Sequence, residues 1–171
     1  MQPPPENFES VVHTYYRDLF RFAMSLVNQE ADAIDLTQQT FLKYATKGHA
    51  LREPSKAKSW LFRTLKNEFI DQRRRATRFQ HVELESANDG AALVAEAGSG
   101  LSVVDTNSAL VALQSLDQKY RIPLTLFYLE GLSYKEIAGI MEVPAGTVMS
   151  RLSRGKEKLR AAFSNPNAPS A

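Results

Sequence analysis

The sequence predicts an all-α protein: two small helical domains joined by a flexible acidic linker, the second a helix-turn-helix domain. Three observations carry that prediction. Apolar residues recur at spacings of three and four through both ends of the chain, which is the period of one helix face. No segment alternates apolar and polar residues between hairpin turns, as a half-buried strand does. The charge is also segregated. Residues 1–80 hold 13 Lys and Arg against 9 Asp and Glu, residues 81–105 hold five acids and no Lys or Arg, and residues 106–171 hold 8 bases against 5 acids.

Composition removes several function classes. A chain of 171 residues has room for one medium domain or two small ones. No apolar run approaches the roughly 18 residues that a membrane-spanning helix needs. The start, Met1-Gln2-Pro3-Pro4-Pro5-Glu6, has neither a basic head nor an apolar core, so it does not read as a secretory signal. There are no cysteines, which excludes disulfide frameworks, zinc–cysteine sites and cysteine nucleophiles together. A cytoplasmic location is expected.

The first domain is expected over residues 1–80. Phe8, Val12, Tyr15, Leu19, Phe22 and Leu26 make one face of a helix over about 6–27. A second helix is expected over 29–46, with Ile34, Phe41, Leu42 and Ala45 on its apolar side and Asp32, Asp35, Gln38 and Gln39 on another. Pro54 marks a loop over 48–57. A third helix over 58–78 carries Leu61, Leu65 and Phe69 inward, with Phe62 and Ile70 alongside. Trp60 at its start reads as core rather than as a stacking platform.

Residues 81–105 change character. Ser86-Ala87-Asn88-Asp89-Gly90 and Gly98-Ser99-Gly100 are turn and linker signals around an Ala-rich stretch, with a short helix expected near 91–97. Few bulky apolar residues are present to build a core there. The second domain follows over 106–165, with a loose tail at 166–171. Leu110, Leu113 and Leu116 open a helix, and Asp117 is placed to cap the next one, which carries Ile122, Leu126 and Leu129. Pro123 marks that helix's first turn or a kink. Ser133 and Glu136 fit a capping box ahead of a short helix over 134–141, with Ile137, Ala138 and Met141 inward. Glu142-Val143-Pro144 turns the chain into a last helix over 145–163, with Val148, Leu152 and Leu159 inward. Two short helices around a tight turn, the second basic, make a helix-turn-helix.

Three surfaces are candidates for function. The last helix carries Arg151, Arg154, Lys156, Lys158 and Arg160 against Glu157 alone. Thr147, Ser150, Ser153 and Arg154 near its start are side chains able to bond base edges or phosphates. The third helix carries Arg63, Lys66, Arg73, Arg74, Arg75 and Arg78 against Glu68 and Asp71. Arg63, Asn67, Asp71 and Arg74 share one of its faces, which suits a nucleic-acid backbone with an Asn presented to a base. The polar side of the second helix suits a basic partner or plain solvent. With no His nearby it does not suit a metal, and no cofactor is expected. His13, His49 and His81 lie far apart in sequence, and neither a glycine-rich phosphate loop nor a nucleophile elbow is present, so catalysis is not expected.

Together these motifs resemble the extracytoplasmic-function sigma factors, compact promoter-recognition subunits of bacterial RNA polymerase. The segment from Asp32 through Leu42, DAIDLTQQTFL, is similar to the family's docking site for the clamp helices of the polymerase β′ subunit. Ser59-Trp60-Leu61-Phe62-Arg63, on through Asn67 to Arg75, resembles the −10 promoter helix. Gly131 through Ala138, GLSYKEIA, followed by Val143 through Leu152, VPAGTVMSRL, resembles the −35 helix-turn-helix.

The resemblance implies roles. Asp32, Asp35, Gln38 and Gln39 would face the β′ clamp helices. Asn67, Asp71 and the loop around Lys56 and Lys58 would meet the −10 element as single-stranded DNA with one base flipped out. Arg73, Arg74 and Arg75 would hold phosphates. Ser150, Ser153 and Arg154 would read the −35 major groove, with Thr147 and Arg151 near the backbone. The second domain would meet the β flap, and the acidic linker would run near the RNA exit path. An anti-sigma factor is a further candidate partner. Two positions depart from the family pattern. Met149 stands where Lys or Arg is frequent, and Glu142 stands at a turn position that favours Gly, so the turn is expected to differ slightly. Two readings compete with this one. A stand-alone helix-turn-helix regulator would need no clamp-docking segment, and a helical interaction protein would need no basic recognition helix. The sequence leaves the relative placement of the domains open. A closed arrangement with the DNA surfaces hidden is electrostatically reasonable.

Overall fold

The computed structural model describes residues 8–51, 53–84 and 111–164, and among them every regular element is a helix. Helix α1 (Phe8–Leu26), α2 (Glu30–Lys47) and α3 (Ala57–Leu84) pack on one another in pairs. Two short 3-10 turns, Gly48–Ala50 and Pro54–Lys56, bridge α2 to α3. The inward faces are the ones the apolar spacing marks. Leu19, Phe22 and Leu26 of α1 meet Leu61, Phe62, Leu65 and Phe69 of α3, all buried. The Phe22 and Phe62 rings lie 5.4 Å apart, and Trp60 packs edge-on to Tyr44 at 5.6 Å, as its core reading requires. Thr37 and Thr40 are also buried. Their hydroxyls donate to the carbonyls of Ala33 and Leu36, so neither leaves a polar group unmet.

Two elements of this domain differ from the sequence expectation. Leu42 is not on the apolar side of α2 but 66% exposed. The inward face of α2 runs through Ala33, Leu36, Thr37, Thr40, Phe41 and Tyr44, and a residue two positions from both Thr40 and Tyr44 points the opposite way. Helix α3 continues to Leu84, four residues into the segment assigned to the linker. A change of charge does not stop a helix, and no Gly or Pro lies between Ala57 and Leu84 to do so. The remainder of that segment, with the helix expected near 91–97, lies outside the described residues.

The second domain opens with a helical turn at 111–114, then α4 (Gln118–Tyr128), α5 (Tyr134–Met141) and α6 (Ala145–Ser164). Asp117 caps α4, its carboxylate accepting from the Lys119 amide at 3.0 Å. The capping box ahead of α5 is complete. Ser133 N donates to Glu136 Oε2 at 2.8 Å, and Glu136 N donates to Ser133 Oγ at 3.3 Å. These bonds hold the Glu136 carboxyl below the usual carboxylate range. Pro123 sits in mid-helix, not in the first turn of α4. Leu129, expected inward, is 40% exposed because it lies past the helix end; buried Leu132 closes the core there instead. Glu142 adopts the left-handed conformation at φ 58°, so the turn keeps its usual geometry even without Gly. That conformation costs a non-glycine residue about 1 kcal/mol. The Lys66 ammonium lies 3.4 Å from the Glu142 carboxylate.

Helices α4 and α6 approach closely because Gly155 has no side chain. A Cβ there would lie 2.9 Å from Leu124 Cδ1, 3.2 Å from Tyr120 Cβ and 3.3 Å from Leu124 Cγ. Gly155→Ala gains roughly 0.5–1 kcal/mol of helix propensity and loses about 1–3 kcal/mol to overpacking. Thermal unfolding of the variant is expected to show a lower Tm than the parent chain, and an unchanged or higher Tm would mean the helices can part at no cost.

Candidate nucleic-acid interface

Helix α6 presents two different faces. Val148, Leu152 and Gly155 are buried against α4 and α5. Gly146, Met149, Ser150, Ser153 and Arg154 lie on the opposite, exposed side, with Thr147 and Arg151 half-buried at its margin. Ser150 Oγ donates to the Thr147 carbonyl at 3.0 Å and keeps its lone pairs outward. The sequence-marked side chains Ser150, Ser153 and Arg154 are therefore gathered on one accessible strip of the second helix of the motif. That strip has the reach and donor set to enter a major groove.

Helix α3 divides along its length. Asp71, Arg73, Arg74 and Arg75 are exposed. Arg73 lies over the Phe69 ring, 6.0 Å from its centroid. Ile70, Arg73, Arg74, Thr77 and Arg78 form one wall of an open groove with Gln118 of α4 opposite. The first half of α3 contacts the second domain. Arg63 Nη2 donates to the Gly139 carbonyl at 2.7 Å, and Lys66, 5% exposed, donates to the Ile140 carbonyl at 3.0 Å. Asn67 beside them is half-buried. Burial pushes the Lys66 ammonium below its ordinary pKa, partly offset by Glu142. Lys58 reaches the Glu130 carbonyl at 3.4 Å, whereas Lys56 stays exposed and pairs with Glu53 at 3.0 Å.

The same construction recurs at two more helix ends. The last carbonyls of a helix have no intrahelical donor and carry partial negative charge. At the end of α1, the Leu26 carbonyl accepts from Arg121 Nη1 at 3.2 Å, and those of Met24 and Val27 accept from Gln114 Nε2 at 3.1 and 2.9 Å. Arg121 is itself buried and also satisfies the Leu116 carbonyl. Past the end of α4, the Leu129 carbonyl accepts from Arg21 Nη2 at 3.0 Å. Arg21 further donates through Nε and Nη2 to the Glu130 carboxylate, both at 2.9 Å. Burial pushes the Glu130 carboxyl up, and the Arg21 guanidinium opposes that shift. The domains are thus packed together; of the side chains expected to meet DNA, Lys58 and Asn67 are half-buried, whereas Lys56, Asp71, Arg73, Arg74, Arg75 and the α6 strip stay open.

On α2, Asp32, Asp35 and Gln38 are exposed and Gln39 is half-buried. Gln39 Nε2 donates to Asp35 Oδ2 at 2.7 Å, and Gln72 Nε2 of α3 donates to Gln39 Oε1 at 3.3 Å. This chain fixes the Asp35 carboxylate on the surface. Leu42 lies seven residues after Asp35 and four after Gln38, hence on the same face. Counting it as core hid an apolar member of the α2 surface. The signal that could have found it was the acid-and-amide side itself, continued by one more turn. Sequence reading also counted Arg63 and Lys66 as free basic groups, because pairing with carbonyls of a distant helix leaves no mark in a charge pattern.

Comparison with known proteins gives concordant matches at both ends. Residues 11–79 match the family described as Sigma-70 region 2, and residues 107–159 the family described as Sigma-70, region 4. The ECF RNA polymerase sigma factor SigM of Bacillus subtilis (strain 168) is 31% identical over 156 residues, covering 91% of this chain and 94% of SigM. The ECF RNA polymerase sigma-E factor of Escherichia coli (strain K12) is 34% identical over 137 residues, covering 75% of this chain and 72% of that protein. Among solved structures, the sigma factor RpoE in complex with the anti-sigma factor NepR from Bartonella quintana matches with a TM-score of 0.76 at 28% identity. That match covers 94% of this chain and 98% of RpoE.

The contact between Arg21 and Glu130 makes a pH-dependent prediction. Arg21→Ala leaves a buried carboxylate unpaired, so Glu130 titrates higher in the closed chain than in an open or unfolded one. The closed chain is then weakened most above the ordinary carboxylate range and least as pH falls toward it. The loss is expected to be about 1–3 kcal/mol at pH 8, below that of a fully buried pair because Arg21 is 41% exposed, and smaller at pH 5. Urea unfolding at the two pH values measures it. An equal loss at both would mean that Glu130 is not the group responsible.

Proposed function

The chain belongs to the extracytoplasmic-function sigma factors of RNA polymerase, and from that membership we propose how its surfaces divide the work. Its function is promoter-directed transcription initiation, with core RNA polymerase and promoter DNA as partners. Sigma factors are initiation factors, not enzymes. In our reading this chain too has no catalysis of its own, needs no cofactor and works in the cytoplasm. No helix among the described residues is long and apolar enough to cross a membrane.

Residues 1–80 bind the polymerase clamp and the −10 element in this proposal. Asp32, Asp35, Gln38 and Gln39 dock on the β′ clamp helices, and Leu42 adds an apolar contact to that face. Asn67 and Asp71, with Lys56 and Lys58, take the single-stranded −10 element, and Arg73, Arg74 and Arg75 hold its phosphates. Residues 81–105 connect this unit to residues 106–165, which bind the −35 element. There Ser150, Ser153 and Arg154 read bases, Thr147 and Arg151 lie at the backbone, and the domain meets the β flap. An anti-sigma factor is a further partner we propose, supported by the likeness to a sigma factor solved with one.

The observation that carries this division is the unequal exposure of the three surfaces. The α2 face is accessible while the first half of α3 is engaged by Gly139 and Ile140 of α5. Docking on polymerase through α2 is therefore possible in the closed chain, and full access to the first half of α3, where Lys58 and Asn67 are half-buried, requires α3 to leave α5. Asp35→Lys tests the first step. The variant is expected to keep its helical circular dichroism and melting profile, to lose at least tenfold in affinity for core polymerase, and to support no promoter-specific run-off transcription. Undiminished binding to core would remove α2 from the docking surface, and sequence-specific duplex binding without any response to core would favour a stand-alone regulator.

A further inference from the structure

The exposed strip of α6 carries two long side chains among small ones. Gly146, Ser150 and Ser153 leave the helix surface low, and a Cβ placed on Gly146 would meet nothing within 4 Å. From this floor rise Arg154 and Met149, the latter 54% exposed. Basic residues flank the strip at Arg151, Lys156, Lys158 and Arg160, so phosphate attraction would press it against a duplex. Once the strip is there, Met149 loses its water and needs an apolar partner. The largest apolar group that base pairs present in the major groove is the C5-methyl of thymine. An unbranched thioether adapts its rotamers to such a contact with little strain.

We propose that Met149 is a specificity residue that reads a thymine methyl group in the −35 element. The proposal rests on the assignment of α6 to the −35 major groove. Met149 and Arg154 are five residues apart, about 7.5 Å along the helix. Five residues also turn about 140° around the helix, so the two side chains stand on opposite flanks of the strip and reach different base pairs. A basic side chain at this position would bond a guanine edge or a phosphate; methionine replaces that polar contact with a methyl-selective one.

The test uses the full chain assembled with core RNA polymerase on a promoter duplex that the enzyme selects from a random pool. Each −35 thymine is replaced singly by deoxyuridine, which removes only the methyl group. Binding is expected to weaken about fourfold at one position, the effect of one buried methyl, and to stay unchanged at the others. Met149→Ala should bind the thymine and deoxyuridine duplexes equally, and Met149→Leu should restore the difference. Silence of every thymine replacement, or a thymine preference that persists in Met149→Ala, overturns the assignment of Met149 while leaving the −35 reading of α6 intact. Absence of any −35-dependent binding overturns that reading and the proposal with it.

Discussion

Helix ends set the arrangement of this molecule. Three helices, α1, α4 and α5, finish at the boundary between the domains, and each brings carbonyl groups that its own backbone cannot satisfy. The donors come from across the boundary. Arg121 and Gln114 of the second domain cap α1, Arg21 and Lys58 of the first cap the end of α4, and Arg63 and Lys66 cap α5. A buried carbonyl left without a donor is costly, and a cation at a helix C-terminus gains from the dipole as well. The packing of the two domains combines this exchange with apolar contact. The buried apolar side chains of the two domains form one continuous cluster, and the cationic and amide donors lie on the helix ends that border it.

This exchange engages three basic residues of α3, Lys58, Arg63 and Lys66, within the molecule. Arg63 and Lys66 lie on the helix that a −10 element would need, and in the closed chain they are bonded to Gly139 and Ile140. Lys66, 5% exposed, cannot reach a phosphate while it caps α5, and Arg63 has one nitrogen committed to a carbonyl. The polar side of α2 and the α6 strip are not used at the boundary. A chain built this way exposes the polar face of α2 and the α6 strip while part of α3 is engaged within the molecule.

Most of the fold was legible in sequence because it depends on local period and on short caps. The spacing of Leu19, Phe22 and Leu26 found the core face of α1, and Ser133 with Glu136 found the start of α5. Errors arose where a local rule met a non-local one. Leu42 is apolar and adjacent to Phe41, but only one of two neighbouring helix positions can face the same core. Leu129 matched the period of α4 one residue beyond the point where α4 ends. Glu142 was expected to disturb the turn, yet the left-handed conformation persists, with Lys66 of the other domain beside its carboxylate. The exposed site residues on α2 and α6 followed from helical periodicity. The engagement of Arg63 and Lys66 did not, since their partners are backbone carbonyls more than seventy residues away.

The central claim is that the chain alone is closed and that engaging polymerase opens it. The absence of native cysteine makes this directly measurable, because any cysteine introduced for labelling is unique. Spin labels at two exposed positions, Thr46 on α2 and Lys156 on α6, report the separation of the domains by pulsed dipolar spectroscopy. The account predicts one narrow distance distribution for the free chain, broadened by Arg63→Ala and replaced by a longer distance when core polymerase is added. A broad distribution in the free parent chain, or one unchanged by core polymerase, would contradict it.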